Sequence, residues 1–491
     1  MLSQASSKSR TSSGGGRVPP PEIDIFQARL GSVTAPAGCG KTQLIADALG
    51  QHTANKPVLV LTHTNAGVTA LRARLQRGGV PSSAYRVSTI DGFAMRLAGK
   101  FPFRAGLDAR VLELANPNAD YPAIRGAVQR LLQVGHISDP IASTYSRLLV
   151  DEYQDCNTAQ HAIFCSIAQI LPTCILGDPM QAIFGFRDPL VHWEREAQAA
   201  FPPIGALQTP WRWRLAGMDA LGAWLLQARA SLQASQPVDL RGAPEGVQWV
   251  QLTQGMEVQQ RLMAARIEAP NRDGRVLVIG DSMNANGRHQ LTMQTPGATS
   301  VEAVDLRDLV NFARQFDLAS PNALRHLAEF AASMMTGVGP ANLLARVETI
   351  RGGRARTPAT AAEAAAAAFL VAPSYTTSIE LLQALADQHG ARVYRPEVLH
   401  CCISALRSAG GEGGFIGAAM RARERNRHLG RPLGRRAVGS TLLLKGLEAD
   451  VAVILEPERM TAQHLYVALT RGARRVVVCS PKPLLTPAMG R

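Results

Sequence analysis

"APAGCGKTQL", residues 35–44, is the stretch around which the rest of the chain can be read. It follows the pattern G-x-x-x-x-G-K-[ST] at every fixed position but the first, where Ala35 stands for Gly. Its flanks supply the context such a loop needs. "GSVTAP" (31–36) reads as a strand, and "KTQLIADAL" (41–49) as the helix behind it. Gly38 and Gly40 let the backbone amides curl into an anion nest at the helix N-terminus. Ala37, Gly38, Cys39, Gly40, Lys41, Thr42 and Gln43 then form a cradle for nucleotide phosphates. Lys41 can reach the β- and γ-phosphates, and Thr42 can hold Mg²⁺.

A second site follows downstream. "LLVDEYQD" (148–155) is an apolar strand ending in two adjacent carboxylates. Asp151, at the strand tip, suits the Mg²⁺ shell. Glu152 suits the base that activates an attacking water. A phosphate loop upstream of such a pair predicts an NTPase that uses Mg²⁺.

The remaining β-branched runs set the fold class. They are "VLVLTH" (58–63), "CILGD" (174–178), "RVLVIGD" (275–281), "VAVILE" (451–456) and "RVVVCS" (475–480), and helical stretches separate them. Strand–helix alternation with continuous apolar strands predicts parallel sheets covered on both faces. The strands fall into two groups, so the expectation is an α/β protein of two lobes with mainly helical insertions. One lobe is expected over 22–206 with a helical insertion at about 97–145. The other is expected over 207–491 with a helical insertion at about 285–435. Residues 1–21, "MLSQASSKSRTSSGGGRVPPP", hold no acid and no apolar core and read as a disordered tail, with a transit peptide the alternative.

Bulk properties point to the partner. The net charge of the 491-residue chain is +14, which fits a polyanion such as nucleic acid. The Arg-rich segment 421–436 is a phosphate-contacting patch or a solvated linker. Seven scattered cysteines with no CxxC pair argue against a zinc or iron–sulfur site and fit a reducing compartment. No run reaches the roughly 18 apolar residues of a membrane span. A cytoplasmic protein without a membrane partner is expected.

Short blocks in the same order as a known family complete the reading. The chain resembles the UvrD/Rep-like superfamily 1 DNA helicases, whose motor consists of two RecA-like lobes. "LTHTNAGV" (61–68) is similar to the T-x-T-N block, "STIDGFAMRL" (88–97) to T-x-H-S-F, and "DEYQD" to D-E-x-Q-D. "LGDPMQAIFGFR" (176–187) resembles G-D-x-x-Q-x-I-Y-x-[WF]-R, and "LQTPWRWR" (207–214) the N-Y-R-S block. "STLLLKGLEADVAVI" (440–454) resembles T-x-H-x-x-K-G-L-E, and "LYVALTRGARR" (465–475) the closing Y-V-x-x-T-R-A block.

The resemblance implies further roles. Gln181 would sense the γ-phosphate or orient the water. Arg212 and Arg471 look like arginine fingers acting when the lobes close. Glu448 resembles the residue that holds the ribose, and Trp211 the aromatic that stacks on the base. Gln27 is the nearby candidate for reading adenine. Thr62, His63, Thr64, Asn65 and Thr89 would line the single-strand path, with Phe184 and Phe186 stacking on bases. His63 stands where the family has Phe, and Asp91 and Leu442 where it has His.

The implied activity is an ATP-dependent translocase or helicase on single-stranded or tailed duplex DNA, 3′ to 5′. Repair, recombination or phage defence, in a bacterial or phage-encoded protein, would use it. The alternative is a DNA-stimulated ATPase subunit that regulates or loads a partner nuclease.

Overall fold

The structure, a computed structural model, describes residues 23–114, 116–185, 188–428 and 434–489. The expected tail at 1–21 and part of the Arg-rich 421–436 segment lie outside the described residues.

Two six-stranded parallel sheets form the frame. The first contains Leu30–Thr34 (β1), Val58–Thr62 (β2), Tyr85–Thr89 (β3), Arg147–Val150 (β4), Thr173–Gly177 (β5) and Pro203–Ala206 (β6), in the order β3-β2-β4-β5-β1-β6. The second contains Val247–Gln251 (β7), Val276–Gly280 (β8), Ala298–Ser300 (β9), Arg436–Ser440 (β10), Ala449–Ile454 (β11) and Gly472–Ser480 (β12), in the order β9-β10-β8-β11-β12-β7. These are two RecA-like α/β lobes. Every residue of β2, β5 and β8 is buried, because helices cover both faces of the sheet.

Functional loops sit at the C-terminal ends of the strands, the usual place for ligands in open α/β sheets. In the first lobe the helix Pro117–Gln133 and shorter helices lie between β3 and β4. Arg125 fastens this helix to the lobe. Its guanidinium donates twice to the Asp91 carboxylate, at 2.7 and 2.7 Å.

In the second lobe seven helices among the described residues, from Arg307–Gln315 to Gly414–His428, lie between β9 and β10. They bury a core of their own around Leu327, Phe369 and Leu381. The Ala-rich stretch at 361–371 is one of them, started by a capping box between Thr360 and Glu363. Buried Arg395 ties this unit to the sheet, donating to Glu302 at 2.9 and 2.8 Å and to Asp308 at 2.6 Å. The lobes share apolar packing: Ala37 and Met180 of the first lie in one cluster with Trp213, Tyr466 and Leu469. No helix among the described residues is long and apolar enough to cross a membrane.

Candidate nucleotide site and nucleic-acid face

The phosphate loop leaves β1 at Thr34. The Ala35 N–H donates to the Gly177 carbonyl at 2.8 Å, so the first loop residue continues the sheet. Ala35 is buried and is not among the positive-φ residues, which is why this position does not require Gly. Gly38 and Gly40 do, at φ 72° and 89°. A Cβ on Gly38 would also stand 2.5 Å from the Trp213 ring. Gly40 caps the helix that begins at Lys41, which places Lys41, Thr42 and Gln43 in its first turn. Gln43 donates to Asp47 at 2.6 Å. Cys39 is buried behind the loop.

Lys41 closes on both carboxylates at the tip of β4. Its Nζ lies 3.0 Å from Asp151 Oδ1 and bonds Glu152 Oε1. Burial alone would lower the Lys41 pKa, but the two negative charges outweigh it and raise the value. Burial pushes Asp151 up against the pull of Lys41. For Glu152 burial acts upward too, yet Lys41 and then Lys445 bring it down to about 2, so it is a carboxylate at neutral pH. Glu152 holds φ 57°, a left-handed conformation that costs a non-glycine residue roughly 1–3 kcal/mol and clusters at functional sites. The Asp151 carboxylate, accepting from the Glu152 N–H at 3.0 Å, helps to hold that bend.

The second lobe reaches the same loop. Tyr466 Oη accepts from the Ala37 N–H at 2.9 Å, and the Arg212 N–H donates to the Gly38 carbonyl at 3.0 Å. Trp211, 38% exposed, lies against Gly40, whose Cβ would meet its ring at 3.1 Å. Arg212 donates to the Thr470 carbonyl at 2.6 Å and pairs with Glu448. Arg471 is buried and donates to the carbonyls of Val467 and Leu447, at 2.8 and 3.1 Å. Burial, with Arg212 close by, lowers its pKa to about 10. Both arginines and Glu448 are thus gathered beside the loop but engaged with one another and with backbone.

Gln181 is buried, with its amide 3.2 Å from Asp178 Oδ2. Asp178 is held by Arg229 at 2.8 Å. Lys445 crosses between the lobes, with its ammonium 2.6 and 2.7 Å from the Asp155 carboxylate and 2.5 Å from the Gln181 carbonyl. Sequence reasoning assigned no role to Tyr466, Lys445, Asp155, Asp178 or Trp213, although all lie inside the quoted blocks. Arg229 carried no signal at all.

Residues 109–202 match the UvrD/REP helicase N-terminal domain, a span that includes the DEYQD block and Gln181. These residues are similar to a UvrD-like helicase domain. Solved structures similar to it include the Pif1 helicase from Candida albicans, at 11% identity and a TM-score of 0.31. That match covers 54% of this chain and 50% of the Pif1 chain, so it spans half of the neighbour's length. No curated protein matches the chain.

The residues expected along a nucleic-acid path depart from expectation in several places. Thr62 is buried at 1% exposure, so it lies under the surface and not along a strand path. Thr64 and Thr89 cap neighbouring helices, each accepting at 3.0 Å from Gly67 and Gly92. Their helix N-termini follow the adjacent strands β2 and β3, and Asn65 opens the first of them. His63 bonds the Asp155 carbonyl through Nε2, with its ring 6.2 Å from that of Phe184. Phe184 carries the Lys445 ammonium 4.6 Å from its ring centre, so that face is already covered. Phe186 lies outside the described residues. Asp91 turns to Arg125, and Leu442 is half-buried. Gln27 precedes β1, and the phosphate loop follows it. Five strand residues at about 3.3 Å each separate the two, which places Gln27 at the wrong end to read adenine.

Proposed function

We propose that this chain is an ATP-driven, UvrD-like translocase on single-stranded DNA that moves 3′ to 5′ and opens duplex ahead of it. The observation that carries the reading is the convergence of Lys41, Asp151 and Glu152 on a loop that the second lobe also grips through Tyr466 and Arg212. The donors fit a hard cation: a carboxylate and a hydroxyl, beside a glycine cradle that a Cβ would fill. Thr42 and Asp151 would hold the magnesium that enters with ATP, which neutralises charge on the phosphate oxygens.

The chain's own residues do the rest. Lys41 exchanges its carboxylate partners for phosphate oxygens. Glu152, already ionised, accepts the proton of the attacking water. Arg212 and Arg471 leave their present partners to meet developing charge as the lobes tighten. Gln181 and Lys445 tie that tightening to the Phe184 segment on the nucleic-acid side.

The test is ATPase activity with and without single-stranded DNA, then unwinding of a 3′-tailed duplex by the isolated protein. DNA-stimulated hydrolysis with unwinding supports the reading; hydrolysis indifferent to DNA overturns it. A second reading is a DNA-stimulated ATPase subunit that regulates or loads a nuclease in repair, recombination or phage defence. It is favoured by the Arg125 hold on Asp91 and the Lys445 cover on Phe184. Hydrolysis without unwinding, restored by a partner, selects it.

A further inference from the structure

Trp213 lies between the phosphate loop and Gly472, where β12 begins directly after Arg471, and it touches both. Its indole is 1% exposed. The six-membered ring lies so close to Gly38 that a Cβ there would be 2.5 Å from one ring carbon and 2.9 Å from the next. Its Nε1–H donates to the carbonyl of Gly472, the residue after Arg471, at 2.9 Å. The preceding peptide reinforces the first contact, since the Arg212 N–H donates to the Gly38 carbonyl at 3.0 Å. The Arg212 side chain reinforces the second, donating to the Thr470 carbonyl at 2.6 Å. One rigid, two-torsion side chain therefore spans the loop that would hold phosphate and the turn that carries an arginine of the opposite lobe.

We propose that Trp213 is a positioning residue that fixes the register between the phosphate loop and Arg471, so that neither can move without the other. This rests on the ATPase reading above and deepens it. A buried, close-packed contact has discrete arrangements and does not deform smoothly, so a shift of the Gly38–Gly40 backbone on nucleotide binding is passed to Gly472 as displacement. The Nε1–H bond sets the direction of that displacement, because it fixes which edge of the indole faces the second lobe.

Trp213→Phe separates the two contacts: it keeps an aromatic ring against Gly38 and has no N–H for Gly472. Trp213→Leu removes both. In steady-state hydrolysis the Phe variant is expected to lose about tenfold in kcat, the weight of one net hydrogen bond, with KM for ATP within about twofold of the parent. The Leu variant is expected to raise KM as well. Hydrogen–deuterium exchange of the nucleotide-free protein reads the link without any reference to hydrolysis. Trp213→Phe should speed exchange across 466–478 while sparing 35–44, and Trp213→Leu should speed both. An unchanged kcat in the Phe variant overturns the proposal. So does a parallel fall in kcat and rise in KM with a lowered melting temperature, which marks simple loss of packing. If the parent protein hydrolyses no ATP, the activity reading fails while the exchange pattern still decides the link.

Discussion

Breaking one side of the Lys445–Asp155 pair should cost far more than removing both sides. The ammonium and the carboxylate have 8% and 2% of their side-chain surface exposed, and they meet at 2.6 Å across the two lobes. For Asp155 burial raises the carboxyl pKa more than Lys445 lowers it. Burial thus works against the charged form of this carboxyl, as is common for buried ion pairs. Lys445→Met keeps the stem over Phe184 but leaves an uncompensated carboxylate between the lobes, at a cost of about 3–5 kcal/mol. Asp155→Leu strands the ammonium, which keeps the Gln181 carbonyl at 2.5 Å and the Phe184 ring but loses its carboxylate, and falls in the same range. The double variant removes both charges and is expected within about 1 kcal/mol of the parent, or above it. The assay is urea unfolding followed by tryptophan fluorescence, with all four proteins compared at fixed pH and salt. A single variant costing less than about 1 kcal/mol, or a double costing the sum of the singles, refutes the reasoning.

Lys41→Ala and Glu152→Gln are each expected to lower kcat at least about 100-fold, and steady-state ATPase checks this; near-parental turnover in either removes the assigned roles. Arg125→Ala should cost about 1–3 kcal/mol by leaving half-buried Asp91 unpaired. Limited proteolysis would then cut faster within 102–133 while DNA-free ATPase stays near parental. The Lys41–Glu152 interaction predicts a pH window. Glu152 lies below its ordinary 4.5 in the folded state, so its contribution is present above that value and lost as pH falls toward about 2. Lys41 is raised above its ordinary 10.5, so its contribution is full below that value and lost at higher pH. The stability gap between the parent and Lys41→Met should hold between about pH 5 and 10 and narrow below pH 4.5; a gap constant down to pH 3 contradicts the assignment.

Legibility in the sequence followed burial. The strands read directly, such as Val58–Thr62 and Thr173–Gly177, are covered on both faces and carry uninterrupted apolar runs. Tyr85–Thr89 and Pro203–Ala206 are the edge strands of the first sheet, partly exposed, and lack such a run. Arg436–Ser440 was hidden for another reason: it is buried but built of small residues, with Leu444 packed over Gly439.

The sequence by itself determined the chemistry that adjacent residues can specify. A glycine-rich turn between a strand and a helix, and two carboxylates at a strand tip, are local patterns, and Ala35 is tolerated because its φ is ordinary. Only the tertiary structure decided what each group faces. Residues far apart in the chain meet there: Tyr466 with Ala37, Lys445 with Asp155, Arg125 with Asp91, Trp213 with Gly38 and Gly472. Such pairings depend on how the two sheets dock and on how inserted helices pack back onto their own lobe, which no run of neighbouring side chains encodes. The departures at His63 and Asp91 follow the same rule, since each residue took a partner inside the protein.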